Sequence, residues 1–169
     1  MKEKKEKKTT VKVKIKVDKI VAAYDLLNTR SNKRSGVIGF KLSGLDTKDM
    51  FKVINIIRVL KPIAEAFHDF QRDAGERLKP DNWDEILEKK ERMDKLPPAE
   101  QAEVDNAIAE FNKKGAECVQ AELDKEVELE PYEHLGKDAF GILVKDNGHL
   151  LDAFDILYLQ EMLNGKSQD

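Results

Sequence analysis

The stretch DTKDMFKVINIIRVLKPIAEAFHDFQRDAG, residues 46–75, sets the fold class. Met50, Ile54, Ile57, Leu60, Ala64 and Phe67 recur at intervals of three and four, the spacing that lines up side chains on one helix face. Val53, Ile56, Val59, Ile63 and Phe70 widen that face, so the helix should meet more than one neighbour. The spacing predicts a helix over 47–74, opened by Asp46 or Thr47. Pro62 lies inside it. Proline lacks an N–H and clashes with the preceding turn, which predicts a kink or break near 58–62.

Working outward, PAEQAEVDNAIAEFNKKGAECVQAELDKE (98–126) reads as a second long helix over 98–124. Pro98 suits a first turn, and Glu100 and Glu103 suit its positive end. Val104, Ile108, Phe111, Gly115, Cys118 or Val119, and Glu122 or Leu123 trace a seam, with Gly115 allowing close approach. The two helices are expected to pair as an antiparallel hairpin. Between them, Asp81 or Asn82 caps a short helix running through Ile86 and Leu87 toward Met93, stopped by Leu96-Pro97-Pro98 and pinned to the core by Trp83.

The flanks of the hairpin alternate with period two. In TTVKVKIKVD (9–18), Val11, Val13, Ile15 and Val17 oppose Lys12, Lys14 and Lys16. In VELEP (127–131), Val127 and Leu129 alternate with Glu126, Glu128 and Glu130. The opposite charges favour antiparallel pairing of strand 11–17 with strand 127–130. The rival partner is VIGFKL at 37–42, which reads as a strand or an extended lead-in, and both pairings together would make three strands. Asp18 is placed to cap a helix in KIVAAYDLLNTRS with Ile20, Val21, Tyr24 and Leu27 on one stripe. Asp146-Asn147-Gly148 reads as a turn, and 150–163 as a final helix ending near Asn164-Gly165. The expected fold is mainly α with a small β-sheet (α+β), a long antiparallel helical hairpin joined by short strands. It comprises a disordered basic tail (1–10), a single domain (11–163) and a tail (164–169).

The 169 residues carry a net charge of −3, unevenly spread. Residues 1–16 hold eight lysines against two glutamates, +6, which leaves −9 on the other 153. An acidic body disfavours nucleic-acid binding. Cys118 is the lone cysteine, so no internal disulfide forms, and its helical context predicts a buried small apolar side chain. No apolar run nears the length of a membrane span, and the charged start is not a signal peptide.

The chain shows no catalytic signature. His68, His134 and His149 stand in helix, loop and turn contexts without HExxH or CxxC spacing. Asp152 and Asp155 share a helix face, and Glu126, Glu128 and Glu130 a strand face, patterns better explained as surface charge than as cation ligands. Phosphate-cradling glycine motifs and GxSxG are absent, and Ser31, Ser35, Ser43 and Ser167 have no visible base partner. The basic loop with Arg30, Lys33 and Arg34 lacks the interleaved aromatics that stack on single strands. The chain is therefore expected to be no enzyme, with no catalytic, cofactor-binding or metal residues, no cofactor and no small-molecule substrate.

A short basic strand, the KIVAAYDLLN helix, the hairpin ending EFNKKGAECVQAELDKEVELEP and the closing DAFDILYLQEML resemble, over 11–163, a family of small tailed-bacteriophage and prophage proteins that carries a domain-of-unknown-function label. The resemblance implies a virion component or assembly factor, a viral protein working by protein binding. The partners are other phage proteins, a host protein or further copies of the chain, in the host cytoplasm with or without incorporation into the virion, and with no membrane. The alternative is a phage-encoded inhibitor or binder of a host protein. Residues 1–9 contain no apolar anchor beyond Met1, so deleting them should leave the thermal unfolding midpoint nearly unchanged; a large drop would show the tail to be packed.

Overall fold

The computed structural model describes residues 14–29 and 39–165. Its elements are β1 (Lys14–Lys16), α1 (Val17–Leu27), α2 (Thr47–Arg77), α3 (Trp83–Glu91), α4 (Pro98–Leu123), β2 (Glu126–Glu128), α5 (Lys137–Asn147) and α6 (Ala153–Leu159). A 3₁₀ turn at Met93–Lys95 precedes α4, and a π-helical turn at Gln160–Asn164 extends α6. The molecule is mostly helical with one two-stranded antiparallel sheet among the described residues. Two compact units divide it: 1–65 with 126–169, and 66–125.

The first unit is closed by its strands. Lys14 stands opposite Glu128, Ile15 opposite Val127 and Lys16 opposite Glu126. Ile15 faces the core while both lysines and both glutamates face solvent. The pairing of the N-terminal strand with the glutamate strand is thus borne out, on shorter spans than 11–17 and 127–130. Residues 11–13 lie outside the described residues, Val17 already belongs to α1, and Leu129 lies beyond the ladder. In the rival segment 37–42, residues 39–42 form no strand, and 37–38 lie outside the described residues. Asp18 does not cap α1. Lys16 is the N-cap residue, and Asp18 sits in the first turn with its carboxylate accepting from Lys19 N–H. Ile20, Val21, Tyr24 and Leu27 are all buried, as their stripe predicts.

Asp46 starts α2, its Oδ1 accepting from the Asp49 N–H at 2.8 Å. The helix runs unbroken through Pro62, which is exposed, so the expected break does not occur. The missing bond to residue 62 falls on the solvent side, where water can satisfy the orphaned carbonyl. Within this unit the buried line is Val53, Ile56, Leu60 and Ala64, all fully inaccessible. Ile54, which the spacing assigned to the core stripe, projects outward.

The C-terminal part completes the same core with Leu129, Leu135, Phe140, Leu143, Leu159, Met162 and Leu163. The segment before 150 holds a helix, α5, that the turn signal concealed. Asn147 ends it and is fully buried. Its Oδ1 accepts from Lys41 N–H (2.6 Å), and its Nδ2 donates to the Lys41 and Leu143 carbonyls (both 2.8 Å). One side chain thereby holds the 39–42 lead-in by both backbone groups of Lys41. Asp152 caps α6 in a capping box with Asp155, so the final helix begins at 153 rather than 150. Lys19 of α1 forms an ion pair with Glu161 of the π turn. Gly165, with φ of 76°, ends that turn as the Asn164-Gly165 signal predicts. Asn164 lies within that turn and Gly165 caps it.

The second unit has a thin core of Phe67, Ala74, Ile86 and Val104. Trp83 packs on Phe111 with ring centroids 4.4 Å apart, the pinning role expected of it. The Gln101 amide donates to the Met93 and Leu96 carbonyls, fastening the 3₁₀ turn to α4. Cys118 is half-buried rather than buried, and no atom approaches the space a Cβ would fill at Gly115, so that glycine serves no close approach.

Reversing the strand charges tests the register. Lys14→Glu with Lys16→Glu should lower the urea midpoint by a stability loss of about 0.2–1 kcal/mol per pair, and adding Glu126→Lys with Glu128→Lys should restore part of it. Strictly additive losses would show that the pairs do not interact.

Candidate interaction surface

Successive residues of an α-helix are turned by about 100°. On α2, burying Val53, Ile56 and Leu60 therefore points Phe51, Ile54, Asn55 and Arg58 away from the core, and all four are exposed. Phe51 leaves 61% of its surface in solvent. Beside this stripe runs a groove of about 380 Å³, with Lys52, Asn55, Arg58 and Val59 on the α2 wall and Glu130, Pro131, Tyr132 and Glu133 on the other. Lys52 is neutralised by Asp49 at 2.8 Å, and that hydrogen bond holds its ammonium above the ordinary lysine range. Among the described residues, no carboxylate lies within ion-pair distance of Arg58.

Tyr132 is half-buried, and desolvation, reinforced by the charge of Glu161, pushes its phenol up to about 12. His134 packs edge-on to Tyr132 at 5.1 Å and stands 3.5 Å from where a Cβ on Gly165 would be. Desolvation holds its imidazole below the ordinary histidine value.

A second apolar area of the same unit lies on α6. Its Leu159 is buried, but Phe154 and Leu157, one turn apart, are 68% and 57% exposed. Sequence reading places both in a final helix over 150–163 without separating its two faces. The signal was present in the capping box, since fixing Asp152 at the N-cap fixes the phase of the helix behind it.

The polar candidates are dispersed or engaged. His68 lies half-buried on α2, His149 is exposed after α5, and His134 sits beside Tyr132. Among the described residues no group of three His, Cys, Asp or Glu is arranged to hold a metal ion. Asp152 and Asp155 are occupied by the capping box, and Glu126 and Glu128 face lysines across the ladder. Ser43 is exposed, while Ser31, Ser35, Ser167, Arg30, Lys33 and Arg34 lie outside the described residues. No described helix is long and apolar enough to cross a membrane. No protein-family model, curated protein or solved structure matches the chain.

Because the Tyr132 phenol is raised, the unfolded chain loses that proton near the ordinary tyrosine value while the folded chain keeps it. Its stabilising contribution is complete below about pH 10 and is lost as the pH rises toward about 12. Tyr132→Phe should flatten the fall in stability across that interval, measured by urea unfolding at stepped pH. An unchanged slope would place the titration elsewhere.

Proposed function

We propose that this chain is a non-enzymatic phage structural or assembly protein that acts through protein–protein contacts. The observation that carries the reading is the large apolar area left outside a well-formed core. Phe51 and Ile54 project from α2, whose Val53, Ile56 and Leu60 are fully buried, and Phe154 and Leu157 from α6, whose Leu159 is fully buried. Isolated exposed apolar residues are ordinary, but aromatic and aliphatic pairs spaced one turn apart on helices are the form in which helical partners dock. The phage assignment itself rests on the sequence resemblance. Its finer architecture is read as an antiparallel hairpin of α2 and α4, with α3 packed on α4. Its place is the host cytoplasm, with or without incorporation into the particle, and its partners are other phage proteins or further copies of itself.

The second reading is a binder or inhibitor of a host protein, favoured by the −9 carried on the 153 residues after Lys16. A surface of that sign steers toward basic partners. Purified particles and assembly intermediates separate the two. The chain should be found in them at fixed stoichiometry under the first reading, and in a stoichiometric host complex under the second.

Substitution discriminates interface from core. Phe154→Asp and Phe51→Asp should each change folding stability by no more than about 0.5 kcal/mol, because both side chains are already in water, while lowering recovery with the partner several-fold. Leu159→Asp, at a buried site on the same helix as Phe154, should instead unfold the first unit. Undiminished recovery with both surface variants would remove these faces from the function.

A further inference from the structure

We infer that the outer face of α2 docks a segment of another protein that presents one carboxylate a helical turn away from a large apolar side chain. The inference rests on the protein-contact reading and adds the chemistry of the partner. Phe51 and Ile54 supply the apolar half of the face. Arg58, one turn beyond Ile54, supplies the charged half.

Among the described residues Arg58, like Lys48 and Arg77, has no ion pair with a carboxylate, whereas most other cations of the long helices do. Lys61, Arg72, Lys113 and Lys114 reach Glu65, Asp69, Glu117 and Glu110 one turn away on their own helix. The positions three and four residues from Arg58 hold Asn55, Ile54, Lys61 and Pro62, none of them acidic. Its guanidinium therefore has no intrahelical carboxylate to neutralise it. The backbone is open at the same residue, because Pro62 has no N–H to donate to the Arg58 carbonyl. Donors of the side chain, an acceptor of the main chain and the exposed Asn55 amide thus lie together next to two exposed apolar side chains. An arginine beside an aromatic is the composition that carries binding energy in protein interfaces, and its planar fork suits a carboxylate.

The facing wall limits the partner further. Glu130 and Glu133 are exposed across the groove, and Lys52 is already paired. A densely acidic tract would be repelled there, so the fit is to a single carboxylate flanked by apolar residues.

The test is selection of random peptides from a display library against the full-length chain, the Arg58→Gln, Arg58→Glu and Phe51→Asp variants, each checked for unchanged helicity. Peptides selected by the parent should share an aspartate or glutamate three or four residues from a Leu, Ile, Phe or Trp. Arg58→Gln should weaken them about tenfold or more, the factor expected for one charge-assisted hydrogen-bonded pair. Arg58→Glu should turn the selection toward lysine or arginine at that position, and Phe51→Asp should abolish it. Peptides without the acid, binding indifferent to Arg58→Gln, or no selection at all would overturn the inference. So would self-association of the chain that Phe51→Asp abolishes, since the occupant would then be a second copy. If particles or a host complex still retain a chain altered at Arg58 and Phe51, this inference fails while the protein-contact reading stands.

Discussion

The fold of the first unit depends on a ladder of three residue pairs. β1 and β2 are separated by more than a hundred residues, yet they lie side by side, and α1 packs against α6. Closing a flexible loop of roughly a hundred residues costs about 4 kcal/mol by the logarithmic dependence on length. Three residue pairs of surface strand do not offset that alone. The burial of Ile15, Val17 and Leu129 at and just beyond the ladder supplies the remainder, since each contributes about 1.5–3 kcal/mol when removed from water. The charge pattern then selects the register: a one-residue slip would turn Ile15 outward and bring the lysines into the core.

The same closure fixes what the surface offers. With Val53, Ile56 and Leu60 committed to the interior, the direction of Phe51, Ile54 and Arg58 is set by helix geometry alone. With Leu159, Met162 and Leu163 committed, Phe154 and Leu157 are set likewise. The packed backs of these helices hold those side chains in place.

Where sequence reading succeeded, the deciding information was local or complementary. The alternating strands, the stripe of α1, Asp46 at the start of α2 and Asn164-Gly165 at the end of the last turn all declare themselves within a few residues. The lysine and glutamate rows found each other by sign. It failed where a residue's role depends on a distant neighbour. Asn147 stands in an Asp-Asn-Gly run that signals a turn, and only the presence of Lys41 beside it makes it a buried clamp. Ile54 belongs to a wide apolar band, and periodicity alone does not say which edge of such a band faces inward. Gly115 was read as a contact point although nothing approaches it. The apolar face of α2 was legible as a face; its exposed residues, from which the candidate site is built, were not.

The division of the chain also carries a consequence for synthesis. Residues 66–125 are continuous in sequence, so their unit can complete its contacts once α4 has left the ribosome. The first unit cannot, because it begins before that insertion and ends after it. Leu159, Met162 and Leu163, all fully buried, are among the last of its residues to be made. Until they arrive, Ile20, Val53, Ile56 and Leu60 have an incomplete core to cover them. A nascent chain therefore carries an exposed apolar helix from the synthesis of α2 until these residues are made.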